Sequence, residues 1–90
     1  MLKEKNNDFK PCVIGLGYVG LPILLRLIKK FNSIGYDNSK KRILDLQIGK
    51  DTFGEVKRKD LTNHKLKFTF NLSKIRDRKI FIITVPTPIF

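Results

Sequence analysis

Apolar residues follow one another continuously in some stretches of this chain and recur at helical spacing in others. The run over residues 12–16 is apolar on both faces, which predicts a parallel strand covered on both sides by helices. Residues 18–30 place apolar side chains at helical intervals and end on cations, as an amphipathic helix does. A short second strand is predicted at residues 34–37, and a second helix at residues 39–48 with Gly49 as its C-terminal cap.

The second half of the chain continues this alternation of strand and helix. A short helix is predicted over residues 55–63, and a third strand with one more exposed face over residues 66–70. Asn71 or Ser73 is expected to cap a single turn through Ile75, and residues 80–85 form the most hydrophobic run, the fourth strand. Strands that alternate with helices indicate an α/β fold with a parallel sheet.

The junction between the first strand and the first helix carries three glycines, Gly15, Gly17 and Gly20. In this spacing the first allows a sharp turn off the strand, the second admits a pyrophosphate to the backbone, and the third lets helix and strand pack closely. The following first helical turn, with Tyr18 and Val19 at its start, presents N–H groups and the positive end of the helix dipole to an anion. Three glycines alone are weak evidence, so the context decides.

Asp37 supplies that context at the end of the second predicted strand. It lies about twenty residues beyond the glycines, where a carboxylate accepts hydrogen bonds from the adenosine ribose of a dinucleotide. A carboxylate there repels a 2′-phosphate, which favours NAD over NADP. The alternative is that Asp37 only forms a turn or caps the helix that follows.

Three cations, Lys40, Lys41 and Arg42, open the second predicted helix, where their charge opposes the helix dipole. Arg42 is a candidate to lie across the adenine or to pair with Asp37. The simpler interpretation, a solvated basic face, is preferred for Lys40 and Lys41.

The end of the fourth predicted strand provides a second set of candidates: Thr84, Val85, Pro86 and Thr87. In an open parallel sheet of order 3-2-1-4, the carboxyl ends of strands one and four flank the crevice in which ligands bind. These residues are therefore expected beside the glycine turn, with a threonine hydroxyl and backbone groups available to the cofactor. The alternative is that the prolines simply end the strand.

Composition sets the outer limits of these hypotheses. Ninety residues form one small domain, and the net charge of +11 favours an anionic partner, so a small basic nucleic-acid-binding module remains the alternative function. That alternative is less favoured because the basic residues are spread along the chain. The single cysteine, Cys12, is expected to be a buried apolar residue, and His64 a surface residue; no metal site is predicted.

Residues 1–10 are polar and are expected to form a flexible leader, which leaves residues 11–90 as the domain. They lack the apolar core of a signal peptide, and no apolar run is long enough to cross a membrane. The sequence therefore predicts a cytoplasmic protein with no membrane partner.

Three motifs in order resemble a known family: VIGLGYVGLP from Val13, GYDNSKKRI from Gly35 and IITVPTPI from Ile82. Together they are similar to the N-terminal coenzyme domain of the UDP-glucose/GDP-mannose dehydrogenases, and VPTPI looks most like the branch that acts on UDP-N-acetylhexosamines, including enzymes of the Vi polysaccharide type. The resemblance implies a partial Rossmann fold with NAD as cofactor. It also implies oxidation of the sugar C6 hydroxyl to a carboxylate by two hydride transfers, feeding surface polysaccharide synthesis.

On this resemblance the three glycines carry the pyrophosphate, Asp37 and Arg42 sit at the adenosine end, and residues 84–87 approach the cofactor. Members of the family are several times longer, and their catalytic cysteine, lysine and sugar-binding residues lie in later segments. We therefore expect this chain to be the N-terminal half of a dinucleotide-binding domain, truncated and without catalytic residues, with a UDP-sugar bound only by a full-length enzyme. The outer edge of strand four is expected to favour self-association.

Overall fold

The computed structural model describes residues 9–52, 54 and 56–84. Four parallel strands form one sheet, and the elements are, in chain order, β1 (Pro11–Ile14), α1 (Gly20–Leu27), β2 (Ile34–Tyr36), α2 (Lys40–Gln47), α3 (Arg58–Leu61), β3 (Phe68–Thr69), a 3₁₀ turn (Leu72–Ile75) and β4 (Ile80–Ile83). The strand order is β3-β2-β1-β4, as the sequence predicts.

The strand register brings the carboxyl ends of β1, β2 and β4 to one edge of the sheet. Ile14 is the last residue of β1, and it pairs with Tyr36 at the end of β2 and with Ile83 at the end of β4. The chain leaves β1 for β2 on one side and reaches β4 on the other side. The growth of the sheet therefore reverses at β1, which is where open α/β sheets bind ligands.

The main core lies on one face of the sheet, where α1 and α2 pack. Helical spacing directs one face of α1 and one face of α2 toward Val13 of β1, and the fully buried members of this core are Val13, Leu16, Leu21, Leu24, Ile43 and Leu46. Gly35 of β2 leaves room on this face, because a Cβ there would lie 2.6 Å from Leu24 Cδ2. The opposite face carries a smaller cluster of Cys12, Ile34 and Ile75, the last from the 3₁₀ turn.

The helix ends differ from the sequence expectation by a few residues. α1 begins at Gly20 rather than Tyr18, and beyond Leu27 the chain continues as turns in which Lys29 N–H and Lys30 N–H donate three residues back. Turns tightened in this way are common at the C-terminal ends of helices. At the other end, Pro22 falls within the first turn of α1, where an N–H has no helical acceptor in any case.

α2 is capped at both ends: at its C-terminus by Gly49, as the sequence predicts, and at its N-terminus by Ser39, which the sequence placed inside the helix. Ser39 precedes the helix in extended conformation, and its hydroxyl accepts a hydrogen bond from Arg42 N–H at 3.2 Å. Gly49 follows the helix with φ +84° and donates its N–H to the Leu46 carbonyl oxygen. Asn71 likewise caps the 3₁₀ turn by accepting from Ser73 N–H.

The later elements are shorter than predicted. α3 covers Arg58–Leu61 instead of residues 55–63, and β3 covers Phe68–Thr69 instead of residues 66–70. β4 lies at the edge of the described sheet, and three of its four residues are exposed: Ile80, Phe81 and Ile83. The described strand of the most apolar run is thus largely exposed in this structure. In the predicted leader, Phe9 packs edge-on against Phe31 with ring centroids 5.5 Å apart.

Candidate functional site

A cleft of about 1050 Å³ opens at the carboxyl ends of β1, β2 and β4. Its walls come from the glycine turn after β1, the residues after β2 that lead into α2, and the end of β4. The site residues predicted from sequence that line it are Gly15, Gly17, Tyr18, Val19, Asp37, Arg42 and Thr84. The structure therefore brings seven of these predicted residues together in one cavity.

The three glycines of the turn differ in conformation and surroundings. Gly15 has φ +96°, a conformation that L side chains rarely adopt, and its N–H donates to the Tyr36 carbonyl oxygen at 2.8 Å. Gly20 lies against that turn, since a Cβ on it would come within 1.8 Å of the Gly15 carbonyl oxygen. A Cβ on Gly17 would meet no protein atom within 4 Å, so at this position the backbone borders open space in the cleft.

The start of α1 borders the same cleft. Val19 is the N-cap residue, Gly20 is the first helical residue, and the first turn carries no acidic side chain that would oppose an anion. Tyr18 and Val19 are exposed and stand at the mouth of the cleft. A pyrophosphate in this position would face the positive end of the helix dipole.

Asp37 connects the end of β2 to the glycine turn. One carboxylate oxygen, Oδ2, accepts a hydrogen bond from Leu16 N–H at 2.9 Å, and the other, Oδ1, accepts from Ser39 N–H at the same distance. Both oxygens are thereby held in fixed positions at the wall of the cleft. Each carboxylate oxygen has two lone-pair directions, so capacity for a further donor such as a ribose hydroxyl remains.

Arg42 reaches back from the first turn of α2 to the glycine turn. Its Nε donates to the Leu16 carbonyl oxygen at 2.7 Å, and its Nη1 lies 2.9 Å from Asp51 Oδ1. The alternatives drawn from sequence were a position across the adenine and an ion pair with Asp37. The structure shows a largely buried guanidinium that pairs with Asp51 and supports the turn.

Thr84 ties β4 to the same turn. Its Oγ1 lies 2.6 Å from the Gly15 carbonyl oxygen and 3.1 Å from that of Ile14, and its N–H donates to the Ile14 carbonyl oxygen at 2.8 Å. The hydroxyl proton expected to be available to a cofactor is therefore directed at the turn. The predicted site residues Val85, Pro86 and Thr87 lie outside the described residues.

Other candidates from sequence stand apart from the cleft. Cys12 is fully buried, and burial raises the pKa of its thiol to about 11 against a smaller opposing effect of Arg78, so the thiol is protonated at neutral pH. His64 is exposed in a turn. Over residues 9–52, 54 and 56–84, no group of histidine, cysteine and acidic side chains is arranged to hold a metal ion, and no helix is long and apolar enough to cross a membrane.

Two features of the site were not predicted from sequence. Asp51 stands in the polar loop after α2, and no periodicity or motif in that loop indicates that its side chain is only 1% exposed. The apolar run over residues 12–16 predicts Leu16 in the first strand, whereas its peptide groups lie in the turn and contact both Asp37 and Arg42. The only sequence signal for Asp51 is an aspartate in a polar loop, and many surface loops contain such an aspartate.

The residues present fit a dinucleotide. Gly17 leaves its side-chain position open, α1 directs its N-terminus at the cleft, and Asp37 presents an oriented carboxylate one strand away. These are the three requirements for a pyrophosphate on the turn and an adenosine ribose beside it.

Comparison with known proteins agrees with this geometry. The model of the UDP-glucose/GDP-mannose dehydrogenase family, NAD binding domain, matches residues 9–90. UDP-N-acetyl-D-glucosamine 6-dehydrogenase of Pseudomonas aeruginosa is 45% identical over 84 residues, which cover 92% of this chain and 20% of that protein. The Salmonella typhi protein of the same name is 44% identical over the same shares. UDP-N-acetyl-D-mannosamine dehydrogenase of Methanocaldococcus jannaschii is 38% identical over 93 residues, with 94% and 21% covered.

Proposed function

Because the chain belongs to the UDP-glucose/GDP-mannose dehydrogenase family, as its NAD-binding domain, we propose that residues 11–90 are the N-terminal half of a Rossmann domain that binds NAD in the cleft described above. NAD is the cofactor of this family domain, and when bound it supplies a hydride acceptor. The 90 residues span about 20% of the length of the curated relatives they match, so the activity of a longer protein is part of the proposal.

The proposed roles follow the walls of the cleft. Gly15, Gly17 and Gly20 shape the turn that receives the pyrophosphate, and the N-terminus of α1 with Tyr18 and Val19 faces its charge. Asp37 accepts hydrogen bonds from the adenosine ribose, with Arg42 at the same end of the cleft. Thr84 borders the cofactor from the end of β4, and contacts of Val85, Pro86 and Thr87 with the cofactor stay predictions.

The observation that carries this proposal is the position of the Asp37 carboxylate. Its two oxygens accept from Leu16 N–H in the glycine turn and from Ser39 N–H at the start of α2. A carboxylate that only formed a turn or capped α2 would need the second contact alone. The contact with the glycine turn supports the proposal, because the carboxylate then lies beside the turn to which the pyrophosphate is assigned.

Calorimetric titration of the folded 90-residue chain with NADH and with NADPH tests this assignment. We expect saturable NADH binding and weaker NADPH binding, because the Asp37 carboxylate repels a 2′-phosphate. Tighter binding of NADPH would remove the role given to Asp37. Absence of binding by both nucleotides would remove the binding function of this chain.

We further propose that a full-length protein oxidises the C6 hydroxyl of a UDP-N-acetylhexosamine to the uronate, with two hydride transfers to NAD. The names of the relatives support this substrate class, and cytoplasmic polysaccharide biosynthesis is the proposed setting. In this proposal the described residues bind and orient the cofactor, and the catalytic groups belong to segments other than these 90 residues. The chain mixed with NAD and UDP-N-acetylglucosamine should then form no NADH, and steady NADH formation would contradict it.

The edge of β4 supports one further proposal, self-association of this chain. Ile80, Phe81 and Ile83 are 43%, 46% and 66% exposed on an edge strand, and apolar edges pair readily with other chains. We expect light scattering at high protein concentration to give a mass above that of the monomer. Phe81→Lys should lower that mass, and a wild-type monomer under these conditions would contradict the proposal.

A further inference from the structure

The peptide unit on each side of Leu16 is held by a charged side chain. Asp37 Oδ2 accepts from the Leu16 N–H at 2.9 Å, and Arg42 Nε donates to the Leu16 carbonyl oxygen at 2.7 Å. The side chain of Leu16 is fully buried, so this residue is fixed by packing as well. Because peptide units are planar, fixing the Leu16 carbonyl also fixes the direction of the Gly17 N–H.

Arg42 is itself held by the loop that follows α2. Its Nη1 contacts Asp51 Oδ1 at 2.9 Å, and the side chains of Arg42 and Asp51 are 9% and 1% exposed. The second oxygen of Asp51 accepts from Val56 N–H at 3.0 Å, so both carboxylate oxygens have a partner. A planar guanidinium with several fixed donors can hold a carbonyl and a carboxylate at once.

Burial separates this ion pair from the others in the described part of the chain. Lys41 and Asp45 pair on the surface of the same helix, but the Lys41 side chain is 78% exposed. Exposed pairs contribute little, whereas a buried pair fixes its partners strongly, because losing one member leaves a desolvated charge. The Arg42–Asp51 pair therefore connects the glycine turn rigidly to the loop after α2.

We propose that Arg42 and Asp51 are positioning residues that hold the glycine turn in the geometry that receives the pyrophosphate of NAD. This inference rests on the proposed NAD-binding function. It adds that residues which need not touch the pyrophosphate influence the affinity of the chain for NAD. The route runs from Asp51 through the Arg42 guanidinium to the Leu16 carbonyl and so to the Gly17 N–H.

Arg42→Lys separates positioning from general stability. A lysine keeps a cation beside Asp51, so the buried carboxylate remains paired, but a single ammonium cannot reproduce the fork that also reaches the Leu16 carbonyl. Asp51→Asn tests the other end of the route by removing the charge that anchors the guanidinium. Asp60→Asn is the matched control, because it removes the charge of an exposed aspartate in α3 that does not line the cleft.

Two readouts on the full 90-residue chain are compared. The first is amide hydrogen exchange of Leu16 relative to that of Gly35, whose N–H donates to the Lys67 carbonyl oxygen within the sheet and so reports on global opening. The second is the dissociation constant of NADH from calorimetry. In both Arg42→Lys and Asp51→Asn we expect the Leu16 to Gly35 exchange ratio and the NADH dissociation constant each to rise about tenfold.

The outcomes separate this inference from the proposed function. An unchanged exchange ratio in both variants overturns the positioning pair, whether or not the wild-type chain binds NADH. A raised ratio with unchanged NADH affinity overturns its link to the cofactor. A wild-type chain that binds no NADH refutes the proposed function and with it that link, while the exchange ratio still decides whether the pair holds the turn. Asp60→Asn should leave both readouts at the wild-type values.

Discussion

The Leu16 N–H donates to Asp37 Oδ2 at 2.9 Å, across 21 positions of sequence, and so links the glycine turn after β1 to the acidic residue after β2. Two motifs that a sequence shows as separate are in direct contact in the fold. Because the contact uses a backbone N–H, it depends on the conformation of the turn and not on the side chain of Leu16. The Asp37 carboxylate is thus both a candidate ribose acceptor and a support of the turn.

Asp37→Asn should weaken the turn and the site together. A carboxamide has one acceptor oxygen in place of two, so either Leu16 N–H or Ser39 N–H loses its partner. We expect the free energy of unfolding in urea to fall by about 1–3 kcal/mol, and the preference for NADH over NADPH to shrink. Asp60→Asn, on an exposed residue of α3, is the control and should change neither value. An undiminished preference for NADH in Asp37→Asn would contradict the role of the carboxylate.

Gly20→Ala should destabilise the fold itself. The added methyl group would lie 1.8 Å from the Gly15 carbonyl oxygen and 2.4 Å from Thr84 Oγ1, and the first of these atoms belongs to the backbone. Relief requires α1 to move away from β1, and such overpacking costs about 1–3 kcal/mol or more. Urea denaturation followed by circular dichroism should show a lower midpoint than the wild type, and an equal midpoint would refute the close packing of helix and turn.

How far the sequence predicted the fold depends on the type of signal. Glycine spacing, Asp37 and the apolar strand runs are local patterns with a direct physical meaning, and the strand order 3-2-1-4 that they indicated is confirmed. Helix and strand ends were less accurate. The turns after α1 and the short α3 use local hydrogen bonds whose extent apolar spacing does not fix, and the length of β3 depends on its pairing with β2. The pattern of apolar residues in β4 indicates a buried strand, but it does not show whether another strand or a helix packs against it.

The candidate site also contains residues that a sequence motif indicates and residues that only the fold reveals. Asp37 and the glycines were identified because their roles require particular residue types at particular spacing. The ion pair of Arg42 with Asp51 was missed, since its members are nine residues apart across a helix end and a loop. Neither residue type is unusual in such a segment, so only the fold reveals that both side chains are buried.

Cys12 predicts a specific loss of stability in alkali. Burial raises the pKa of its thiol from 9.0 to about 11 in the folded chain, so the folded state holds its proton more tightly than the unfolded state does. The resulting stabilisation is complete below pH 9 and is lost as the pH rises through 11, by up to about 1.4 kcal/mol per pH unit.

Comparing wild type with Cys12→Ala at pH 8 and pH 10.5 isolates this contribution, because lysines and tyrosines titrate in both proteins. The free energy of unfolding should fall further in the wild type than in the variant over this interval. An identical fall in both proteins would show that the thiol does not titrate as its burial requires.

Gly17→Ala tests the central claim, that this glycine turn receives the pyrophosphate of NAD. A Cβ at Gly17 meets no protein atom within 4 Å, and its φ lies outside the left-handed region, so the variant should fold with the wild-type urea midpoint. The methyl group would project where the turn borders open space, and a pyrophosphate close to the backbone would then be displaced.

The decisive measurement is the calorimetric dissociation constant of NADH for Gly17→Ala beside that of the wild type, on chains with equal urea midpoints. We predict a rise of about tenfold or more in the variant, corresponding to the cost of overpacking a close contact. Equal affinity for NADH in the two proteins would contradict the account, because the pyrophosphate would then not lie on the turn.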